Sequence, residues 1–198
     1  MGGKNIFWFF LLFYWCFQLP VLFSPALRVL QFKDRTVIVN PRFFYKIWQG
    51  YGFAVSKRFE GVAADGSVDI LFLNPSNSGR DVYVALIEIF GLAQLYADIY
   101  INNTVTSNGT LIPYFNLNTK SSITPVAEIY HGGAYTLGNL IYNMVVPGGS
   151  HIRAVGGGAE IGESIIIGDG VNFILRVTNK SASSTDFSAR ALWWEDPI

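Results

Sequence analysis

His131 and His151 are the only imidazoles in the 198-residue chain, and each stands beside a glycine-rich turn. A metal centre needs several further ligands at characteristic short spacings. Neither histidine has such company, so both read as exposed loop residues. Gly156-Gly-Gly-Ala-Glu-Ile-Gly162 carries the glycines of a phosphate cradle, but the last falls one place late and the residues that follow read as strand. A cradle takes its dipole and free N–H groups from a helix N-terminus, so this loop is rejected. No nucleophile elbow is present, and a Ser–His–acid triad could be assembled only by arbitrary choice among many serines. Glu160 and Glu163 could hold calcium or be solvated turn charges. The second is preferred, because no spaced row of Asp and Asn accompanies them. No catalytic, cofactor-binding or metal-binding residue is therefore assigned.

What remains is contact chemistry. Tyr96, Tyr100, Tyr130, Tyr135 and Trp194 read as exposed aromatics that could stack on sugars or fill a neighbouring subunit's pocket, and edge packing within the fold explains them equally well. Asn102, Asn108 and Asn179 each open an Asn-x-Ser/Thr triplet, which matters only if the chain meets a glycosylation machinery.

The elements that must position these residues read as strands. Half of the chain is hydrophobic, and twenty glycines with sixteen phenylalanines favour turns and sheets over helices. Val68–Asn74 is a strand closed by the turn cluster Asn74-Pro-Ser-Asn-Ser-Gly79, with a hairpin to follow. Val82–Phe90 places apolar residues on both faces, Val82, Val84 and Leu86 against Tyr83, Ala85, Ile87 and Ile89, and so reads as a central strand. In Tyr96–Ile101 the set Ala97, Ile99, Ile101 opposes Tyr96, Asp98, Tyr100, so one side is wet. Asn108-Gly109 marks a tight turn. Short segments follow at Leu111–Phe115, Val126–Tyr130, Leu140–Val146 and His151–Val155. Ser164–Gly170 then turns into Val171–Asn179, in which Val171, Phe173, Leu175 and Val177 face the core. In Phe187–Trp194, Phe187, Ala189, Ala191 and Trp193 share a side, and Glu195 and Asp196 stop the strand with charge. Spacing of about eight to twelve residues is that of sandwiches and jelly rolls. The expected fold is all-β: an antiparallel, jelly-roll-like sandwich over residues 59–198.

The first sixty residues differ. They hold eight Lys and Arg against two Asp and Glu, whereas the remainder holds six against twelve, a positive head on an acidic body. Residues 6–23, IFWFFLLFYWCFQLPVLF, lack charge over about the length of a bilayer span. Residues 1–30 therefore read as a membrane anchor, as a poor signal peptide, or as absent from the mature protein, with Val55 as an alternative start. Only the first of these implies a membrane partner. The single cysteine, Cys16, rules out a disulfide framework. Residues 31–58 form a basic aromatic arm. Cations interleaved with Phe43, Phe44, Tyr45 and Trp48 can bind phosphates and stack on bases, but a flank touching anionic head groups or a peripheral strand pair is preferred. Nucleic acid is not an expected partner.

Thr104-Val-Thr-Ser-Asn-Gly-Thr110, Pro113-Tyr-Phe-Asn-Leu-Asn118, Val145-Val-Pro-Gly-Gly149, Asn172-Phe-Ile-Leu-Arg-Val-Thr-Asn179 and Leu192-Trp-Trp-Glu195 together resemble a diffuse group of tailed-phage and archaeal-virus virion proteins. These are small β-sandwich subunits of head fibres, decorations or tail-associated parts. The resemblance covers about residues 60–196. It implies a location in the virion and a structural, non-enzymatic role through self-association as a homo-oligomer and contact with other virion proteins. Rival expectations are a cell-surface or extracellular filament or adhesin subunit that donates Thr36–Val39 to the next subunit's open edge, and a glycan-binding module.

Overall fold

A computed structural model describes residues 29–32, 35–38, 41–148, 158–161 and 165–198. The chain divides into two compact units, Met1–Tyr45 and Lys46–Ile198. The first contains an antiparallel pair, β1 (Val29–Phe32) and β2 (Arg35–Ile38), with Val29 opposite Ile38. Helix α1 (Pro41–Gln49) follows. Residues 6–23 and His151–Val155 lie outside the described residues. Among those described, no helix is long and apolar enough to cross a membrane.

The second unit is an antiparallel β-sandwich. One layer, the β16 sheet, runs β13 (Gly158–Ile161), β5 (Arg80–Gly91), β16 (Thr185–Pro197), β3 (Gly52–Val62), β9 (Tyr114–Asn116), with β14 (Ile165–Ile167) also on β5. The other, the β15 sheet, runs β12 (Asn139–Val146), β6 (Leu95–Ile101), β15 (Asn172–Asn179), β4 (Ser67–Leu73), β10 (Glu128–His131), β8 (Thr110–Leu111). Without the stretch from β7 (Thr104–Ser107) to β11 (Ala134–Thr136), the two sheets read 13-5-16-3 and 12-6-15-4. Strands β3 to β6 and β14 to β16 then alternate layer at every connection, which is the wrapping of a jelly roll. Phe53, Ile89, Phe187 and Trp193 from one layer meet Phe72, Ile99, Phe173 and Leu175 from the other in one buried core.

This wrapping corrects the expected hairpins. Turns Asn74–Gly79 and Gly168–Gly170 carry the chain from one sheet to the other and do not join neighbouring strands. β5 is central, though for a different reason from its two apolar faces. Ala85 has no partner in the β16 register, and this bulge changes the alternation so that Val82, Val84, Ile87 and Ile89 all point inward. Val171 is exposed and precedes β15, whereas Phe173, Leu175 and Val177 are buried as expected. The boundary at residue 58 falls inside β3, whose Gly52, Phe53 and Ala54 pair with Trp194, Trp193 and Leu192. Phe53 is a core residue, so a start at Val55 would remove part of the sandwich.

Residues 102–138 are an insertion between β6 and β12 with three effects. β8 and β10 extend the β15 sheet beyond β4, and β9 extends the β16 sheet beyond β3. β7 and β11 pair as a separate ribbon. β6 lies beside one edge of its sheet while β8 is the other edge, so the chain must cross the sheet between them, and it must cross back from β10 to β12. The inner face is occupied by core, which leaves the outer face for the crossing.

Candidate functional site

The register places a cross-strand row on the outer face of the β15 sheet: Leu140, Tyr100, Ile174, Leu71, Tyr130, Leu111, one from each of its six strands. Leu71 and Ile174 face away from the core yet are fully buried, which is what a ribbon lying across them produces. Backbone proximity pins the ribbon at both ends. Gly109, at φ 90°, lies against His131 O and Gly133 N, and Gly138 lies against the carbonyls of Ile101 and Asn102, so a side chain at either would collide with backbone. Tyr135 Oη donates to Asn108 O, Asn103 Nδ2 to Tyr100 O, and Gly138 N to Asn103 Oδ1.

The next row is polar: Asn143, Asp98, Arg176, Asp69. Arg176 donates to both Asp69 oxygens, at 2.7 and 2.8 Å, and this bond holds its pKa above the ordinary arginine value. Burial pushes Asp98 up, with Arg176 opposing the shift.

Of the five aromatics expected at a contact surface, Tyr100 and Tyr130 come together in the apolar row, both half-buried. Tyr130 Oη donates to Glu128 at 2.7 Å, and its pKa is raised by burial first and by that carboxylate second. Tyr135 sits in the ribbon, with its pKa raised by burial. Tyr96 is the exposed one, four residues before Tyr100 on β6, with Lys180 Nζ 5.7 Å from its ring centre. Trp194 is not exposed. It is buried on the opposite sheet, stacked on Tyr83 at 5.1 Å and 6°.

Glu195 also departs from expectation. It does not end the strand, because β16 runs to Pro197, and its carboxylate is fully buried. It accepts from Val126 N at 2.9 Å, Ala127 N at 3.0 Å, Trp193 Nε1 at 3.3 Å and Arg80 Nη1 at 3.0 Å. Arg80 in turn lies 5.0 Å from the ring centre of Tyr51, and Lys46 pairs with Asp196. One carboxylate thus fastens the segment leading into β10 to the centre of the other sheet.

His131 is half-buried with its ring edge-on to Phe59 at 5.6 Å, not a solvated loop residue. Burial, with Lys57 adding to it, lowers its pKa. The backbone of Glu160 pairs with Glu88, whose carboxylate binds Arg190. Among the described residues no three His, Cys, Asp or Glu side chains are grouped to hold a metal ion. Asn179 is buried and fully used: Nδ2 donates to Val62, Ala63 and Ser183 carbonyls, while Oδ1 accepts from Ser181. A glycan cannot reach it in the folded chain, whereas Asn102 is exposed. A shallow cavity of about 390 Å³ opens at the end of the β16 sheet between Arg58, Phe90, Leu92 and Ser188.

Exposed apolar side chains cluster at the lateral edges, where sequence reading had not placed contacts. Leu111, Tyr114 and Phe115 stand out on one side, and Leu140, Ile141, Tyr142 and Val145 on the other. The available signal was a charge-free run, Asn139–Val146. No family model matches the chain, and no curated protein matches it.

Proposed function

We propose that this chain is a structural subunit of a virion, of the capsid-decoration, head-fibre or tail-associated kind, working through self-association and surface contacts without turnover. The observation that carries the reading is the apolar surface at both lateral edges of a sandwich whose charged side chains are largely committed to one another. Exposed patches of this kind mark interaction sites. The motifs behind the virion resemblance serve as framework: Asn116 Nδ2 donates to Gly50 O and Ile123 O, Glu195 pins the β10 approach, and β15 is the spine of its sheet. Jelly rolls also recur in capsid and lectin domains, which is support by analogy of fold alone.

The donor-strand alternative fits less well, since Thr36, Val37 and Ile38 already pair with Gln31, Leu30 and Val29 of their own chain. Quantitative mass spectrometry of purified particles from the source culture tests the proposal. The expected result is a fixed ratio to the major capsid protein. Recovery only in the cell-envelope fraction would refute it.

A further inference from the structure

Resting on that reading, we propose that the partner at β12 is a second copy of the same strand: two chains join β12 to β12 antiparallel about a two-fold axis, making one continuous sheet from both β15 sheets. The two sides of the sandwich are treated differently. On the β3 and β4 side the insertion adds β8, β9 and β10. On the other side, among the described residues, β12 pairs only with β6 and no strand pairs with its outer edge. An open strand edge is a template for another strand, and proteins ordinarily blunt it with charge or proline. β12 has neither along Asn139–Val146, and Leu140, Ile141, Tyr142 and Val145 are 48, 50, 41 and 56% exposed.

Strand length and charge select the occupant. An eight-residue edge needs a mate of similar length. β8 has two residues and β9 three, with Pro113 between them removing a donor. Among the described edge strands only β12 itself has that length. It is also neutral throughout, so pairing it with its own copy sets no like charges opposite each other. Such an interface is isologous and closes as a dimer.

The irregularities that bound β12 give the register. Ile141 has no partner in β6, so a bulge ends the regular strand there, and Pro147 ends it at the other side. The regular run Tyr142–Val146 is centred on Met144. A dyad at Met144 sets Tyr142 opposite Val146 of the second copy and Asn143 opposite Val145 of the second copy, and each pair shares a face. Register is strongly specified wherever one face is buried, and on this face Val146 is in the core with Met144 partly buried against it.

The test uses the full chain with Cys16→Ser, followed by sedimentation equilibrium. The parent is expected to be a dimer or a multiple of one. Val145→Lys is expected to weaken the association at least about tenfold, since it places a lysine in the interface twice, whereas Val171→Lys, at an exposed position before β15 and away from both lateral edges, leaves it unchanged. Circular dichroism checks that both remain folded. Independently, mixing Asn143→Cys chains with Val145→Cys chains under oxidation should give a disulfide-linked dimer, while Asn143→Cys alone should not, its own copy lying on a diagonal about 7–8 Å away. A monomeric parent, a Val145→Lys dimer as tight as the parent, or no cross-link in the mixture overturns the pairing. Those results leave the virion reading standing if the chain is found in particles. A paired chain missing from particles sinks that reading and spares the pairing.

Discussion

Replacing Glu195 with glutamine changes no volume and removes one charge at the most heavily bonded carboxylate described. The amide oxygen can still accept from Val126 N and Ala127 N, but the amide nitrogen then faces Arg80 Nη1, which lies 3.0 Å from Glu195 Oε2. A donor opposes a donor, and Arg80, held over Tyr51, loses its counter-charge. Breaking a buried ion pair by removing one partner costs about 3–5 kcal/mol. Arg80 retains some contact with water, which moves the expectation to the lower end, about 3 kcal/mol. For a domain of this size each kcal/mol shifts Tm by about 2–4 °C, so Glu195→Gln should melt about 6–12 °C below the parent. Chemical unfolding followed by tryptophan fluorescence gives the free energy. Hydrogen exchange gives the location, because the Val126 and Ala127 amides should exchange faster in the variant while β15 amides keep their order of protection. A variant within about 1 kcal/mol of the parent, or one whose Val126 and Ala127 amides are unchanged, would refute the account of Glu195 as the latch between layers.

Two further outcomes follow from buried or half-buried polar groups. Asn179→Ala removes the buried amide whose two hydrogens are shared among the carbonyls of Val62, Ala63 and Ser183, and at about 1–3 kcal/mol for an unsatisfied buried group the loss should be about 2 kcal/mol in urea unfolding. His131 has a folded pKa below its ordinary 6.5, so the unfolded chain binds more protons and stability falls as pH drops through and below that value. His131→Phe, which keeps a ring against Phe59, should flatten the loss of urea midpoint between about pH 7.5 and pH 5. An equally steep loss in the variant would assign the dependence to other groups.

The strands themselves were largely legible, because period-two alternation in Tyr96–Ile101 and Phe173–Val177 follows directly from one buried face. What local pattern does not carry is which sheet a strand joins. Asn74–Gly79 has the composition of a hairpin turn, but turn chemistry reverses the chain equally well between layers as within one. The bulge at Ala85 was hidden for a related reason: an extra residue in an apolar strand leaves an apolar strand. Glu195 was misread because a charge next to a strand end ordinarily meets water, and the donors that hold it here come from residues 69 and 68 positions earlier. Trp194 was misread with it. The aromatic row from Tyr100 to Tyr130 depends on register between distant strands, which no single segment specifies.

The position of β16 between β3 and β5 has a consequence for biosynthesis. Gly61 and Asp186, joined by a 2.8 Å hydrogen bond, are 125 residues apart in the chain, and β3 and β5 both leave the ribosome long before the strand that fills the gap between them. For that interval two apolar ribbons have their hydrogen-bonding sides open, a condition in which chains are prone to aggregate. Slow refolding from denaturant is therefore expected of this topology, whatever the finished sandwich goes on to join.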